Sequence, residues 1–255
     1  QVRAGAVHLT RLVTYLPGTT FDMSEPYPAD TYRDIGALLG RTAAMLTDLS
    51  HPAADHFMPW DIANGLIVDD ELLRSVRDPE VAGYVAELRP HLERVAAVME
   101  RLPRRLIHND GHAGNLMRVD DRAVAVTGLI DFGDTVRTIT AADVAIAAES
   151  FAVSHATPHV VLAELARGYH AHVRLTDAEV AALPDLVLAR AALGLMLTDR
   201  LIAIADGDED ADEMREWMHD RLALTRRWVT LDRHRLTDTV AAALARDTHT
   251  PGSPR

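Results

Sequence analysis

The chain has 255 residues, 48% of them hydrophobic and 25% charged, and carries a formal net charge of -12. That length can bury a sizeable core in one large domain or two small ones, and the acidic balance offers no electrostatic footprint for a nucleic-acid backbone. There is no cysteine and no lysine, so all 26 basic residues are arginine, which excludes disulfides, thiolate nucleophiles and any Schiff-base or phosphate-gripping lysine supplied by this chain.

No apolar run approaches the ~18 residues a membrane span requires, and no membrane partner is expected. The opening stretch QVRAGAVHLTRLV lacks the long apolar region of a signal peptide. A cytoplasmic location is expected, and a first residue Gln1 suggests an excerpt of a longer polypeptide with other domains.

In chain order, VHLTRLVTYLPG is rich in branched and aromatic residues and reads as a strand that Pro17-Gly18 turns into a loop. From Asp30, the spacing of Ile35, Leu38, Leu39, Thr42 and Leu46 predicts a helix. A second helical face runs through Val81, Tyr84, Val85, Leu88, Leu92, Val95, Met99 and Leu102, with Pro90 expected to kink or divide it. The period then changes. RLIH, NLMRV and AVAVTGLI read as three short strands, the last two joined by a hairpin turn at Asp120-Asp121-Arg122.

After Phe132 the pattern is mainly helical. Thr140 or Ala141 opens one helix, Thr157-Pro158 another, and Thr176 with Glu179 forms a capping-box pattern. DGDEDADE reads as a solvated acidic loop between two later helices, and DTHTPGSPR as a disordered tail.

Asp110 and Asn115 share the loop after RLIH, and the hairpin returns Asp131 beside it. Carboxylate and amide oxygens are hard ligands of the kind a magnesium ion takes while it keeps waters and binds substrate phosphates. A carboxylate left off the metal can accept a proton from a hydroxyl, and the set suits phosphoryl transfer. The bland alternative, turn and capping residues only, accounts less well for two linked motifs at compatible spacing. The histidine pairs His108/His112 and His155/His159 have a zinc-like spacing, but the first crosses a strand and loop and Pro158 interrupts the second.

HNDGHAGN followed by LIDFGD resembles the Brenner-type loop and metal-binding segment of the aminoglycoside phosphotransferase and choline kinase superfamily, with its frame His-x-Asp-x-x-x-x-Asn and then Ile-Asp-Phe/Trp-Gly/Glu. The run VTGLIDFGDTVRTITAADVAIA is most similar to the hydroxylysine-kinase-like branch, which also occurs fused to class III aminotransferases. The resemblance implies Asp110 as catalytic base, Asn115 and Asp131 as magnesium ligands, His108 as a support of the loop and Phe132 packed against that support.

RLVTYLPG resembles the last strand and hinge of the small lobe, which implies that Val13, Thr14, Tyr15 and Leu16 lie near the nucleotide. PWDIANG resembles a large-lobe segment near the acceptor. Two positions depart from the family's usual residues. Gly111 stands for the common Leu or Phe and Ala113 for the common Pro, which suggests a more flexible loop. The glycine-rich turn and the lysine of the small lobe are not among these 255 residues and are expected upstream of Gln1.

The expected fold is α+β, a kinase-like, mostly helical large lobe with a small β-hairpin at the site. Its divisions are 1–20 (end of the small lobe and hinge), 21–247 (helical lobe) and 248–255 (tail). The expected reaction is magnesium-dependent transfer of a phosphoryl group from ATP or GTP to the hydroxyl of a small cationic amino-alcohol. Asp61, Asp134 and Glu149 are candidates to face that acceptor, and Asp143 is read as structural support. The rival readings are a non-catalytic ligand-binding lobe and a metal-dependent hydrolase. The bare chain is expected to fold yet to bind nucleotide weakly without the upstream segment.

Overall fold

The computed structural model describes residues 12–205 and 209–247. Its strands are short and its bulk is helical: β1 (Thr19–Thr20), α1 (Ala29–Met45), α2 (Asp70–Ser75), α3 (Pro79–Met99), β2 (Arg104–Ile107), β3 (Leu116–Arg118), β4 (Gly128–Leu129), β5 (Val136–Ile139), α4 (Ala142–Ala152), α5 (Pro158–His170), α6 (Asp177–Ile204), α7 (Glu209–Val229) and α8 (Arg233–Asp247). Two antiparallel sheets result, one ordered β1-β3-β4 and one made of β2 and β5.

The predicted helical faces are buried. Ile35, Leu39 and Thr42 of α1 point inward, as do Val81, Tyr84, Val85, Leu88, Leu92, Val95 and Met99 of α3. Asp78 starts α3 by accepting the N–H groups of Glu80 and Val81 at 2.9 and 3.0 Å, ahead of a proline at the first helical position, where its missing N–H costs nothing. Pro90 does not divide α3, which continues across it as one helix. Its buried face on both sides of the proline supplies the packing that outweighs one lost helical hydrogen bond. Thr176 and Glu179 do form a reciprocal capping box at the start of α6.

The differences lie where tertiary contacts override local pattern. Leu12 to Leu16 form no strand and are exposed, and the earlier part of that predicted strand lies outside the described residues. AVAVTGLI is strand only at Gly128–Leu129. The strand β5 was not expected at all. Its four residues, VRTI, are stabilised by pairing with β2, Arg104 opposite Ile139 through Ile107 opposite Val136. The acidic run is not a loop throughout, because α7 has begun by Glu209, while 206–208 and the tail from 248 lie outside the described residues.

The core is built by helices that approach closely. A Cβ on Gly36 would lie 2.0 Å from the Leu165 carbonyl oxygen, and one on Gly168 1.9 Å from that of Arg33, so α1 and α5 meet backbone to backbone. Beside them Phe21, Tyr27, Tyr32 and Phe151 pack edge to face.

The helix α6 spans 28 residues and is long and apolar enough to cross a membrane, a length the sequence reading did not credit. Its apolar window is 83% buried inside the fold, against α3, α4, α7 and α8, which is the position of a core helix.

Candidate active site

Strand β2 delivers His108, Asn109 and Asp110 to the edge of a cleft of about 1010 Å³. The loop is held from beneath. His108 is buried, and burial pushes its pKa down despite the hydrogen bond to Ile130 and the charges of Asp110 and Asp131. It is therefore neutral, with Nδ1 accepting the Asp110 N–H at 3.3 Å and Nε2 donating to the Ile130 carbonyl at 3.0 Å. Phe132 packs edge-on against that imidazole, with 4.7 Å between ring centroids. Both contacts join the loop to the segment that follows β4.

Asn109 and Asp131 are the non-glycine residues with positive φ among those described, at 64° and 60°. Asn109 donates its N–H to Asp143 Oδ1 at 2.9 Å. Asp143 is fully buried at the start of α4, and burial pushes its carboxyl up to about 7. Asp131 caps the following turn by accepting the Gly133 N–H at 3.2 Å and is itself exposed. Left-handed backbone at residues other than glycine concentrates where surrounding structure over-determines it, and here it re-aims both segments toward the cleft.

The Asp110 carboxylate is gripped on both oxygens. Asn115 Nδ2 donates to Oδ2 at 2.8 Å and to the Asp110 carbonyl at 2.9 Å, and Arg190 donates to Oδ1 at 3.2 Å. His112 accepts the Gly114 N–H on Nδ1, which puts its proton on Nε2, 3.5 Å from Asp110 Oδ2. Burial acts to raise the Asp110 pKa, but the hydrogen bond with His112 and the Arg190 guanidinium outweigh it, and the net shift is downward. Asp110 is thus ionised at neutral pH.

The two departures in the loop have local reasons. Gly111 leaves space that Leu39 of α1 fills, and an added Cβ would lie 2.6 Å from its Cδ2. Ala113 donates its N–H to Ser150 Oγ at 3.0 Å, a bond a proline could not make. The loop is packed at both positions rather than loosened by them.

Asp134 lines the cleft and is half-buried. Burial raises its pKa, and the charges of Asp110 and Asp131 add to the rise while Arg190 and His56 oppose it. Glu149 also lines the cleft, paired with Arg221 of α7, which in addition donates to the Glu149 carbonyl at 2.9 Å. Burial pushes Arg221 down to about 10.

Asp61, expected at the acceptor, lies behind the cleft wall. It is buried and accepts the Ala63 N–H at 3.0 Å and the Thr138 hydroxyl at 2.5 Å, so its carboxyl group anchors its own loop to β5. Val13 to Leu16 are all exposed, and the Leu16 side chain lies over Gly128 at the base of the hairpin.

Sequence reasoning missed Arg190, Arg221 and Trp217, all of which line the cleft. The one available signal was an arginine inside LVLARAALGLML of α6, since a charge on an apolar run is buried only with a partner.

The set of donors fits a divalent cation of the magnesium type. Asn115 spends its amide nitrogen on Asp110, which leaves its oxygen as a hard ligand, and Asp131 keeps a carboxylate oxygen that no donor among the described residues occupies. No cluster of three or more His, Asp or Glu side chains suited to holding a metal by themselves occurs among the described residues. Magnesium characteristically completes its shell with water and phosphate oxygens rather than with such a cage.

A strand-borne acidic loop, a β-hairpin leading to a second carboxylate and a helical body define the large lobe of a protein-kinase-like α+β fold. Amicoumacin kinase, solved in complex with AMP-PNP, Ca2+ and Ami, shares that fold at TM-score 0.58 and 16% identity, over 87% of this chain and 66% of its own. A choline/ethanolamine kinase family protein from Mesorhizobium loti matches at TM-score 0.57 and 16% identity, over 86% and 71%.

Residues 2–183 match the phosphotransferase enzyme family, and the chain belongs to that family. A homoserine kinase of Granulibacter bethesdensis is 38% identical over 130 residues, 50% of this chain and 40% of that protein. The chain therefore spans about two fifths of the length of this curated relative.

Proposed function

We propose that the protein of which this chain is the large lobe transfers the γ-phosphoryl group of ATP or GTP to the hydroxyl of a small amino-alcohol, with magnesium. The observation that carries the reading is the Asp110 carboxylate, ionised and held on both oxygens at the edge of the cleft. Phosphoryl transfer asks the protein for positioning and charge neutralisation more than for covalent chemistry. Asp110 orients the acceptor hydroxyl and takes its proton as the new oxygen–phosphorus bond forms and the bond to the departing nucleoside diphosphate breaks.

Asn115 and Asp131 would hold the magnesium ion, which when bound neutralises charge on the phosphates. Val13 to Leu16 are proposed to approach the nucleotide base, and the AMP-PNP in amicoumacin kinase favours adenine. Asp134, and Glu149 with its charge shared by Arg221, would face the acceptor's amine, since opposite charge in a cleft both attracts and orients a cation.

A second acceptor reading has its own observation. Arg118 and Arg221 also line the cleft and would suit a carboxylate carried beside the amine, as in homoserine, the substrate named for the curated relative. The test follows label from [γ-32P]ATP in the full-length protein with magnesium and a panel of ethanolamine, choline, homoserine, 5-hydroxylysine, glucose and glycerate. Phosphorylation of an amine-bearing member supports the proposal, and homoserine over ethanolamine supports the second acceptor. Label released only as inorganic phosphate, whatever the acceptor, would make the protein a hydrolase. Preference for glucose or glycerate would reject the amine.

A further inference from the structure

We infer that Arg190 is a positioning residue for this transfer, one that locks the Asp110 carboxylate in its working rotamer and couples it to the Trp60 loop. The inference rests on Asp110 being the proton acceptor. Arg190 stands in the middle of α6, flanked by Leu186, Val187, Leu188, Ala189, Ala191 and Ala192, all buried. An apolar side chain there would pack the helix without removing a charge from water, so the guanidinium must answer to specific partners.

Those partners converge from two loops, that of Trp60 and that of Asp110. One terminal nitrogen donates to the Trp60 carbonyl at 2.8 Å and the other to Asp110 Oδ1 at 3.2 Å, while the guanidinium carbon lies 5.2 Å from the centre of the Trp60 ring. The Trp60 loop is fixed in turn to β5 through Asp61 and Thr138. On its far oxygen Asp110 meets Asn115. The carboxylate is therefore clamped between α6 and its own loop, and neither oxygen can turn without losing a charge-assisted hydrogen bond.

A planar fork can bridge a carbonyl and a carboxylate while stacking on an indole, whereas the point charge of a lysine cannot satisfy all three. Trp60 lines the cleft, so the same side chain that aims the base also holds part of the cleft wall. Positioning of this kind acts on the chemical step, and displacement of a base by about 1 Å costs on the order of 10²-fold.

The experiment compares Arg190→Met and Arg190→Lys, each in the wild-type and in the Asp110→Asn background of the full-length protein, using magnesium ATP and the fastest acceptor of the panel above. In the wild-type background both should lower kcat, Arg190→Met by on the order of 10²-fold, with KM for ATP within about twofold. In the Asp110→Asn background, where no proton acceptor remains to be aimed, the same substitutions should lower the residual rate by less than about threefold.

Equal proportional losses in both backgrounds would assign Arg190 to packing and overturn the inference, as would a wild-type kcat in Arg190→Met. If Arg190→Met fails to fold, the Arg190→Lys pair carries the same comparison. Full activity of Asp110→Asn by itself would remove the base assignment and this inference with it. An inactive Asp110→Asn combined with proportional losses overturns the inference alone.

Discussion

The residues with the most unusual environments are those beneath the loop, not those open to the cleft. Asp143 spends one oxygen on the Asn109 N–H, and its other oxygen has no hydrogen-bond partner among the described residues. Burial lifts its pKa from 3.8 to about 7. The folded chain thus keeps a proton that the unfolded chain gives up near 4. The stability this confers is fully present below the unfolded value and is lost as pH rises through about 7. Asp143→Asn keeps the acceptor for Asn109 without the ionisation. The melting temperature of this variant relative to wild type should therefore climb between pH 5 and 8, and a pH-independent difference would show that Asp143 does not titrate there.

At the metal position the prediction is of a different kind. Asp131 is exposed and, among the described residues, bonded only within its own turn, so Asp131→Ala should leave the fold intact. It should weaken ATP binding in magnesium and not in chelator, because the ion bridges carboxylate and phosphate. Calorimetric titration under both conditions decides it, and equal losses would mean that Asp131 acts in some other way.

Elements were legible in the sequence in proportion to how much of their stability is local. The long helices announce themselves by apolar spacing, by Thr157-Pro158 at the start of α5 and by the capping box of Thr176 and Glu179 at the start of α6. Strand β5 could not be read because a four-residue segment owes its conformation to β2, more than 25 positions earlier in the chain.

The glycines of α1 and α5 were equally silent, since a backbone crossing leaves no local mark. They make a paired prediction. Gly168→Ala forces a methyl into the Arg33 carbonyl and should cost about 1–3 kcal/mol. Gly83→Ala, on α3 with nothing within 4 Å, should stabilise by about 0.5–1 kcal/mol through helix propensity. Thermal or urea unfolding measures both. A harmless Gly168→Ala would mean that α1 and α5 can move apart.

For the whole molecule, the candidate site was readable as a set of residues but not as an arrangement. His108, Asp110, Asn115 and Asp131 stand out by type and spacing on one loop and hairpin, and the fold does bring them into one region. The opposite wall comes from α6 and α7, where Arg190, 80 residues after Asp110, and Arg221 belong to helices whose local pattern says only core or surface. Asp61 shows the reverse error. Its motif neighbourhood pointed at the acceptor, but the turn it caps and the Thr138 hydroxyl claim its carboxylate.

The central claim is that a carboxylate held on both oxygens at the edge of a large cleft accepts the proton in phosphoryl transfer. The most direct test is single-turnover phosphotransfer by Asp110→Asn, with magnesium ATP and the fastest acceptor, alongside nucleotide affinity and melting temperature. The variant keeps an oxygen for Arg190 and the carbonyl for Asn115. It should bind nucleotide and unfold close to wild type while the transfer step slows by at least ~10²-fold. Transfer at the wild-type rate in a folded, nucleotide-binding variant would contradict the claim.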